Sequence, residues 1–387
     1  MEALNPQEMA EKIMKELKKA RQNLTHLNVM VLGKTGVGKS TLINNMFREP
    51  LAETGVGKPV THAIRKYEKE DFPLSIYDTP GLELGGENAL SEILDEVVQV
   101  MEDGVKSHDI SKAIHCIWYC VSSTSHRFEQ AEKDFINKFL SEASKFNVPV
   151  IVVLTQSFSK KDAQELKSEI EKENLAIAQV VPVLAQDYEI DEVGVAKAFG
   201  LDRLTEVMDS VIPEAVKNTL VAVQKANIKM KSTKAQAVVA TSAAAAAATG
   251  AIPIPFSDAA LLVPEQISML AGITAVFGLP VEKSTITAIV SATIGTAGAT
   301  ILGKTVVTGI LKCIPGAGYI AGGVISGSIA AVITAALGEA YIGIMVLISN
   351  GEMKISDLET EAGKAIITKM FKEKLSLKRD KEGKVKE

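Results

Sequence analysis

The chain has 387 residues, which at about 150 residues per domain is too long for one small fold and suits two to three domains. Hydrophobic residues make up 47% and charged residues 23%, which excludes global disorder and supplies apolar material for a core. A net charge of -5 offers no broad positive field, so nucleic acid is not an expected partner, and three cysteines, Cys116, Cys120 and Cys313, are too few for a disulfide framework.

In chain order, MEALNPQEMAEKIMKELKK reads as an amphipathic, charged helix within residues 1–23, without the apolar core of a signal peptide; a cytoplasmic protein is expected. Apolar runs at Asn28 to Gly33, Leu74 to Asp78, Ile114 to Ser122, Val148 to Thr155 and Ala178 to Leu184 read as buried strands. Helical patterns at Lys39 to Phe47, Asn88 to Val105, Phe128 to Glu142, Lys161 to Glu171 and Val195 to Val223 lie among them. This alternation predicts, over residues 24–225, an α/β domain: a mostly parallel sheet with helices on both faces. A ligand is then expected at the carboxyl ends of the strands.

Gly33-Lys34-Thr35-Gly36-Val37-Gly38-Lys39-Ser40 matches G-x-x-x-x-G-K-[ST], directly after the strand VMVL and directly before the helical run STLINNMF. Glycines let backbone N–H groups turn inward on phosphate, Lys39 reaches the β and γ phosphates, and Ser40, followed by Thr41, can ligate Mg²⁺ at a helix N-terminus. About forty residues on, after the strand LSIY, comes Asp78-Thr79-Pro80-Gly81. There a carboxylate can hold Mg²⁺ through water and the Gly81 amide can sense the γ phosphate.

In this order and spacing the two motifs resemble a translation-factor-class (TRAFAC) P-loop GTPase of the Era-like or septin-like kind. The resemblance implies GTP and GDP as ligands and Mg²⁺ as cofactor. It also implies that Thr61, with Thr54 as its rival, completes the metal shell and takes part in catalysis. Where such GTPases carry N/T-K-x-D to read guanine, this chain has Thr155-Gln156-Ser157-Phe158. The acceptor for the guanine N1–H and N2–H₂ is missing, so discrimination against adenine is expected to be weaker. Gln156 can lay its methylenes along the base, Asp162 or Asp187 can supply a carboxylate from another loop, and Ala185 sits where the family offers a backbone amide to the base. Leu82 after DTPG cannot orient water, so slow turnover is expected, raised by a partner or by a second copy meeting the nucleotide face. Gly36 stands where potassium-activated relatives carry Asn, and Ser125 to Glu129 open a helix that is either a dimer surface or an ordinary solvated start. His26, His62, His108 and His115 make no metal spacing, and Cys116 and Cys120 read as core.

From Ala235 to Gly351 only seven of 117 residues are charged, and this stretch holds 15 of the 28 glycines. Charge-free runs at Ala235 to Ser257, Gln266 to Val281, Ser284 to Gly303 and Cys313 to Gly338 span 23, 16, 20 and 26 residues, against about 20 needed to cross a bilayer. Prolines, weakly apolar alanines and absent aromatic belts argue against clean spans, whereas Gly295, Gly298, Gly303, Gly316, Gly318, Gly322, Gly323 and Gly327 suit close helix approach in lipid or in a tight soluble bundle. IPIPFSDAALLVPEQISMLAGITAVFG and LKCIPGAGYIAGGVISGSIAAVITAALGEAYI resemble the bacterial DUF697 (YcjF-like) domain, often fused to an Era-like GTPase and commonly predicted to meet membranes. An apolar, glycine- and alanine-rich all-α domain over 226–351 and a basic C-terminal segment over 352–387 complete the expected order. The functional expectation is a Mg²⁺-dependent GTPase switch at the cytosolic face of a membrane, with lipid as a partner. The alternative is a soluble nucleotide-sensing assembly protein whose helical domain binds another protein.

Overall fold

The computed structural model describes residues 6–48, 56–59, 64–69, 72–79, 87–125, 130–190, 194–249, 254–255, 263–294, 324–325 and 327–383. They form two compact units: Leu24–Asn227, and Met1–Asn23 together with Ile228–Glu387.

The first unit is built on seven strands: β1 (Leu27–Gly33), β2 (Val56–Pro59), β3 (Arg65–Lys69), β4 (Phe72–Asp78), β5 (Cys116–Ser122), β6 (Val150–Thr155) and β7 (Gln179–Pro182), in the order β2-β3-β4-β1-β5-β6-β7. Strands β4, β1, β5, β6 and β7 run parallel, while β2 and β3 add an antiparallel margin. Every residue of β1 and of β6 is buried, the run expected of central strands covered on both faces. Because successive side chains alternate, Met30 and Leu32 of β1 pack beneath α3 (Glu87–Lys106), α4 (Gln130–Lys145) and α5 (Lys160–Lys172). Val29 and Val31 pack on the other face beneath α2 (Lys39–Met46), α6 (Leu201–Val211) and α7 (Glu214–Val223). On that second face Trp118 stacks on Phe47, with ring centroids 5.6 Å apart. The fold is the α/β class expected. The segment Val195 to Val223, read as one helix, is instead a strand followed by two helices: β8 (Tyr188–Ile190) pairs with β9 (Gly194–Ala196), and Pro213, which has no amide to donate, separates α6 from α7. Strand β3, RKYEK, carries too few apolar residues to announce itself in sequence.

The second unit is helical. Its elements are α1 (Pro6–Gln22), α8 (Ile228–Thr249), α9 (Val263–Phe277), α10 (Lys283–Ile294), α11 (Gly327–Ser349) and α12 (Glu361–Gly383), with a two-residue pairing of β10 (Ile254–Pro255) and β11 (Val324–Ile325). The N-terminal helix does not stand apart: Met9, Ala10, Ile13 and Leu17 are buried with Met269, Ile273 and Phe277 of α9 and Ile286 and Ile289 of α10. Lys283 bridges to Glu11, and the Arg21 guanidinium donates to Leu279 O at 2.9 Å. The basic C-terminal segment is likewise docked, through Leu358, Ile367 and Phe371, and Glu339 lies 3.9 Å from Lys374. The glycines singled out in the apolar region lie outside the described residues, apart from Gly327, which opens α11. Close approach is seen at Gly338, where an added Cβ would come within 2.5 Å of Val239 on α8.

Candidate nucleotide site

The loop from Gly33 to Ser40 joins β1 to α2, and its three glycines hold backbone conformations that L side chains rarely adopt: φ 148° at Gly33, 77° at Gly36 and 92° at Gly38. Gly33 also has no room for a side chain, since a Cβ would meet Cys120 O at 2.5 Å. Val37 turns inward and is buried, whereas Thr35, Gly36 and Ser40 are exposed and Lys34 and Thr41 are half-buried. Lys39 opens α2 and folds back over the loop, donating to Gly33 O at 2.9 Å and Lys34 O at 3.2 Å. These contacts hold the ammonium on the concave side of the loop, where phosphate oxygens can replace the carbonyls. Lys34 is anchored sideways by Glu132 of α4, 3.2 Å away.

Asp78 ends β4 in register with Val31 of β1, which brings it to the same sheet edge. Burial pushes its carboxyl above the usual carboxylate range, and the charges of Lys39 and Arg65 pull it partly back. Its Oδ1 is buried with no hydrogen-bond partner among the described residues. A carboxylate kept half-desolvated beside a P-loop fits a divalent cation that would be shared with Ser40 and with phosphate oxygens. Among the described residues no group of three or more His, Cys, Asp or Glu is placed to hold a metal. Thr61 and Gly81, expected at the metal and the γ phosphate, lie outside the described residues, as do Thr54 and Leu82. The next residue, Thr79, is tied to β1 by its amide, 3.2 Å from Val31 O.

The loop after β6 closes the other side. Thr155 is buried and its hydroxyl donates to Val121 O at 3.1 Å, a strand-to-strand tie. Gln156 takes φ 54°, a left-handed conformation that glutamine seldom adopts, and three contacts hold it. Its Nε2 donates to Gly36 O at 2.9 Å, its Oε1 accepts from Ser122 Oγ at 2.6 Å, and its own carbonyl accepts from Ser123 Oγ at 3.0 Å. Gln156 therefore straps the P-loop to the end of β5. Ser122 and Ser123 were not singled out by sequence; the run of four hydroxyl residues after a buried strand was the available signal. Ala185 follows β7 and is half-buried against the core of the second face. Of the two carboxylates considered as substitutes, Asp187 is committed to Lys197 at 2.7 Å and to the Ala198 amide at 2.8 Å, and Asp162 stands in the first turn of α5. A separate cavity of about 340 Å³ near Met101, Phe146 and Pro213 opens at the opposite ends of the strands and contains none of these groups.

Residues 28–156 match the family described as "50S ribosome-binding GTPase". The chain is 26% identical over 169 residues to neuronal-specific septin-3 of Danio rerio, covering 38% of this chain and 46% of that protein. It is 29% identical over 191 residues to GTPase Era of Pseudomonas fluorescens (strain Pf0-1), covering 48% and 55%. The chain spans about half the length of the curated relatives it matches. Among solved structures it is similar to a probable GTP-binding protein engB, at 23% identity over 48% of this chain and 98% of that one with a TM-score of 0.32. It is also similar to Toc33 from Arabidopsis thaliana in complex with Mg²⁺ and GMPPNP, at 19% identity over 54% and 91% with a TM-score of 0.30. Residues 28–156 thus carry a P-loop GTPase domain with Era-like and septin-like relatives.

Proposed function

We propose that the protein binds GTP and hydrolyses it slowly with Mg²⁺, and that the nucleotide state is passed to a membrane through the helical unit. The observation that carries the nucleotide reading is the loop of three left-handed glycines with Lys39 folded onto it, beside the half-buried Asp78. Bound Mg²⁺ would be held by Ser40, Asp78 and Thr61 and would neutralise charge on the transferred phosphoryl. The chain's own groups do the rest: glycine-loop amides and Lys39 hold the phosphates, and Gln156 fixes the loop against the strand ends. Leu82 in place of a water-orienting side chain makes turnover slow, and a second copy across the nucleotide face, or another protein, raises it.

Support for the membrane reading lies in α11, where Ala330–Ser349 is a 20-residue stretch of mean hydropathy 2.0, and in the resemblance of this region to the DUF697 domain. A second reading is favoured by one observation: half of that stretch is buried within the protein. In that reading the helical unit is a soluble bundle that binds a protein partner.

Full-length protein and Lys39→Ala are to be compared for bound GTP and GDP and for hydrolysis over a range of protein concentrations. Loss of binding by Lys39→Ala with an unchanged circular dichroism spectrum is the expected result; retained binding refutes the site. Flotation with anionic vesicles in both nucleotide states separates the two readings of the helical unit, and protein that never floats leaves the soluble one.

A further inference from the structure

Gln156 ties its loop to the P-loop, with its Cγ 3.7 Å from where a Cβ on Gly38 would stand, so the residues that follow it border the space next to the phosphate loop. There Phe158 replaces the carboxylate of a guanine reader. Its ring lies 4.4 Å, centroid to centroid and tilted by 48°, from Tyr188, which opens β8. Tyr188 is 48% exposed, so its ring is open to a ligand. Beside the pair, Lys160 Nζ sits 4.9 Å from the centre of the Phe199 ring. Of the polar groups nearby, Asp187 is tied through both oxygens to Lys197 and to the Ala198 amide, which follow β9, and both ends of the Gln156 amide are engaged.

We propose that Phe158 and Tyr188 form an aromatic wall on which the purine of the bound nucleotide stacks, so that the site selects purine over pyrimidine while separating guanine from adenine only weakly. The inference rests on the nucleotide reading above. Its physical reason is that every purine has a π face and stacking is tolerant of base identity, whereas Phe158 offers no carboxylate to guanine's two donors.

The test is isothermal titration of the full chain with GDP, ADP, UDP and tripolyphosphate, for wild type, Phe158→Leu, Tyr188→Leu, Phe158→Asp and Lys39→Ala. Leucine keeps the apolar packing and removes the π face. Wild type should bind GDP and ADP within about tenfold of each other and UDP more weakly. Each leucine variant should lose about tenfold for both purine nucleotides and leave tripolyphosphate binding unchanged, the loss expected for one stacking contact. Phe158→Asp should widen the preference for GDP over ADP. If the leucine variants bind GDP as wild type does while Lys39→Ala does not, the wall is wrong and the nucleotide site stands. If wild type prefers GDP over ADP by more than a hundredfold, an unidentified acceptor reads guanine and the proposal fails. If Lys39→Ala binds GDP normally, the nucleotide reading itself falls.

Discussion

Two residues carry opposite demands for function and stability. Asp78 sits in a half-desolvated place with one oxygen unpartnered among the described residues, which costs the nucleotide-free protein stability at neutral pH. Asp78→Asn should therefore leave the unfolding midpoint of nucleotide-free protein unchanged or higher, while Mg²⁺-dependent hydrolysis falls by about 10–100-fold; thermal melts beside phosphate-release assays check both. His115 is the reverse case. Its Nδ1 accepts from the Asn28 amide at 2.9 Å and its Nε2 faces Ile110 O at 2.8 Å, so the ring is neutral with the proton on Nε2. Burial holds His115 below its ordinary pKa, and His26, bonded to Ser75 Oγ, is held down by burial and by Lys66. With folded pKa values below the unfolded value of about 6.5, unfolding takes up protons; this contribution is whole above that pH and is lost as pH falls through the folded values. Melting temperature should drop between pH 7.5 and 5.5, and the drop should shrink in a His26→Gln, His115→Gln double variant. An identical drop in that variant would remove both histidines from the account.

Between elements, close approach and strand-end ties decide the outcome. Gly338 on α11 leaves room for Val239 of α8 and for Met269, whose sulfur would lie 2.8 Å from an added Cβ. Gly338→Val should cost about 1–3 kcal/mol by overpacking, read as a lower denaturant midpoint with an unchanged slope. At the sheet edge, Ser122→Ala removes the hydroxyl that fixes Gln156 without disturbing a core position. It should weaken GDP binding severalfold while leaving stability within about 0.5 kcal/mol, and titration beside thermal melts separates the two effects.

For the whole molecule, each unit owns its core. The α/β unit closes at Asn227, where the Asn227 amide nitrogen donates to Gln224 Oε1 at 2.8 Å. A fragment of residues 24–227 should fold, stay monodisperse and bind nucleotide. The helical unit is discontinuous in sequence, since α1 fills a groove made by α9 and α10. Deleting residues 1–23 from the full chain should expose Ile273, Phe277 and Ile289, reveal itself by increased binding of a hydrophobic dye, and leave nucleotide affinity unchanged. Unaltered dye binding would show that α1 contributes no essential cover.

The α/β class, the phosphate loop and the place of Asp78 at a strand end are legible in the order of residues, because these depend on local rules: alternating apolar runs, glycine where φ is positive, and a cation at a helix start. The sequence also exposed the missing guanine acceptor, since Phe158 occupies the place of a carboxylate. What surrounds that gap is set by contacts between residues far apart in the chain. The strap from Gln156 to Gly36 joins residues 120 positions apart, the Phe158–Tyr188 pair depends on the β8–β9 hairpin, and no periodicity reports either. The same holds for α1, whose amphipathic pattern announces that one face will be buried but cannot name the partner. Its Ile13 and Leu17 meet α9 and α10 from the far end of the chain, because apolar burial is non-directional and goes to whichever complementary face the fold presents.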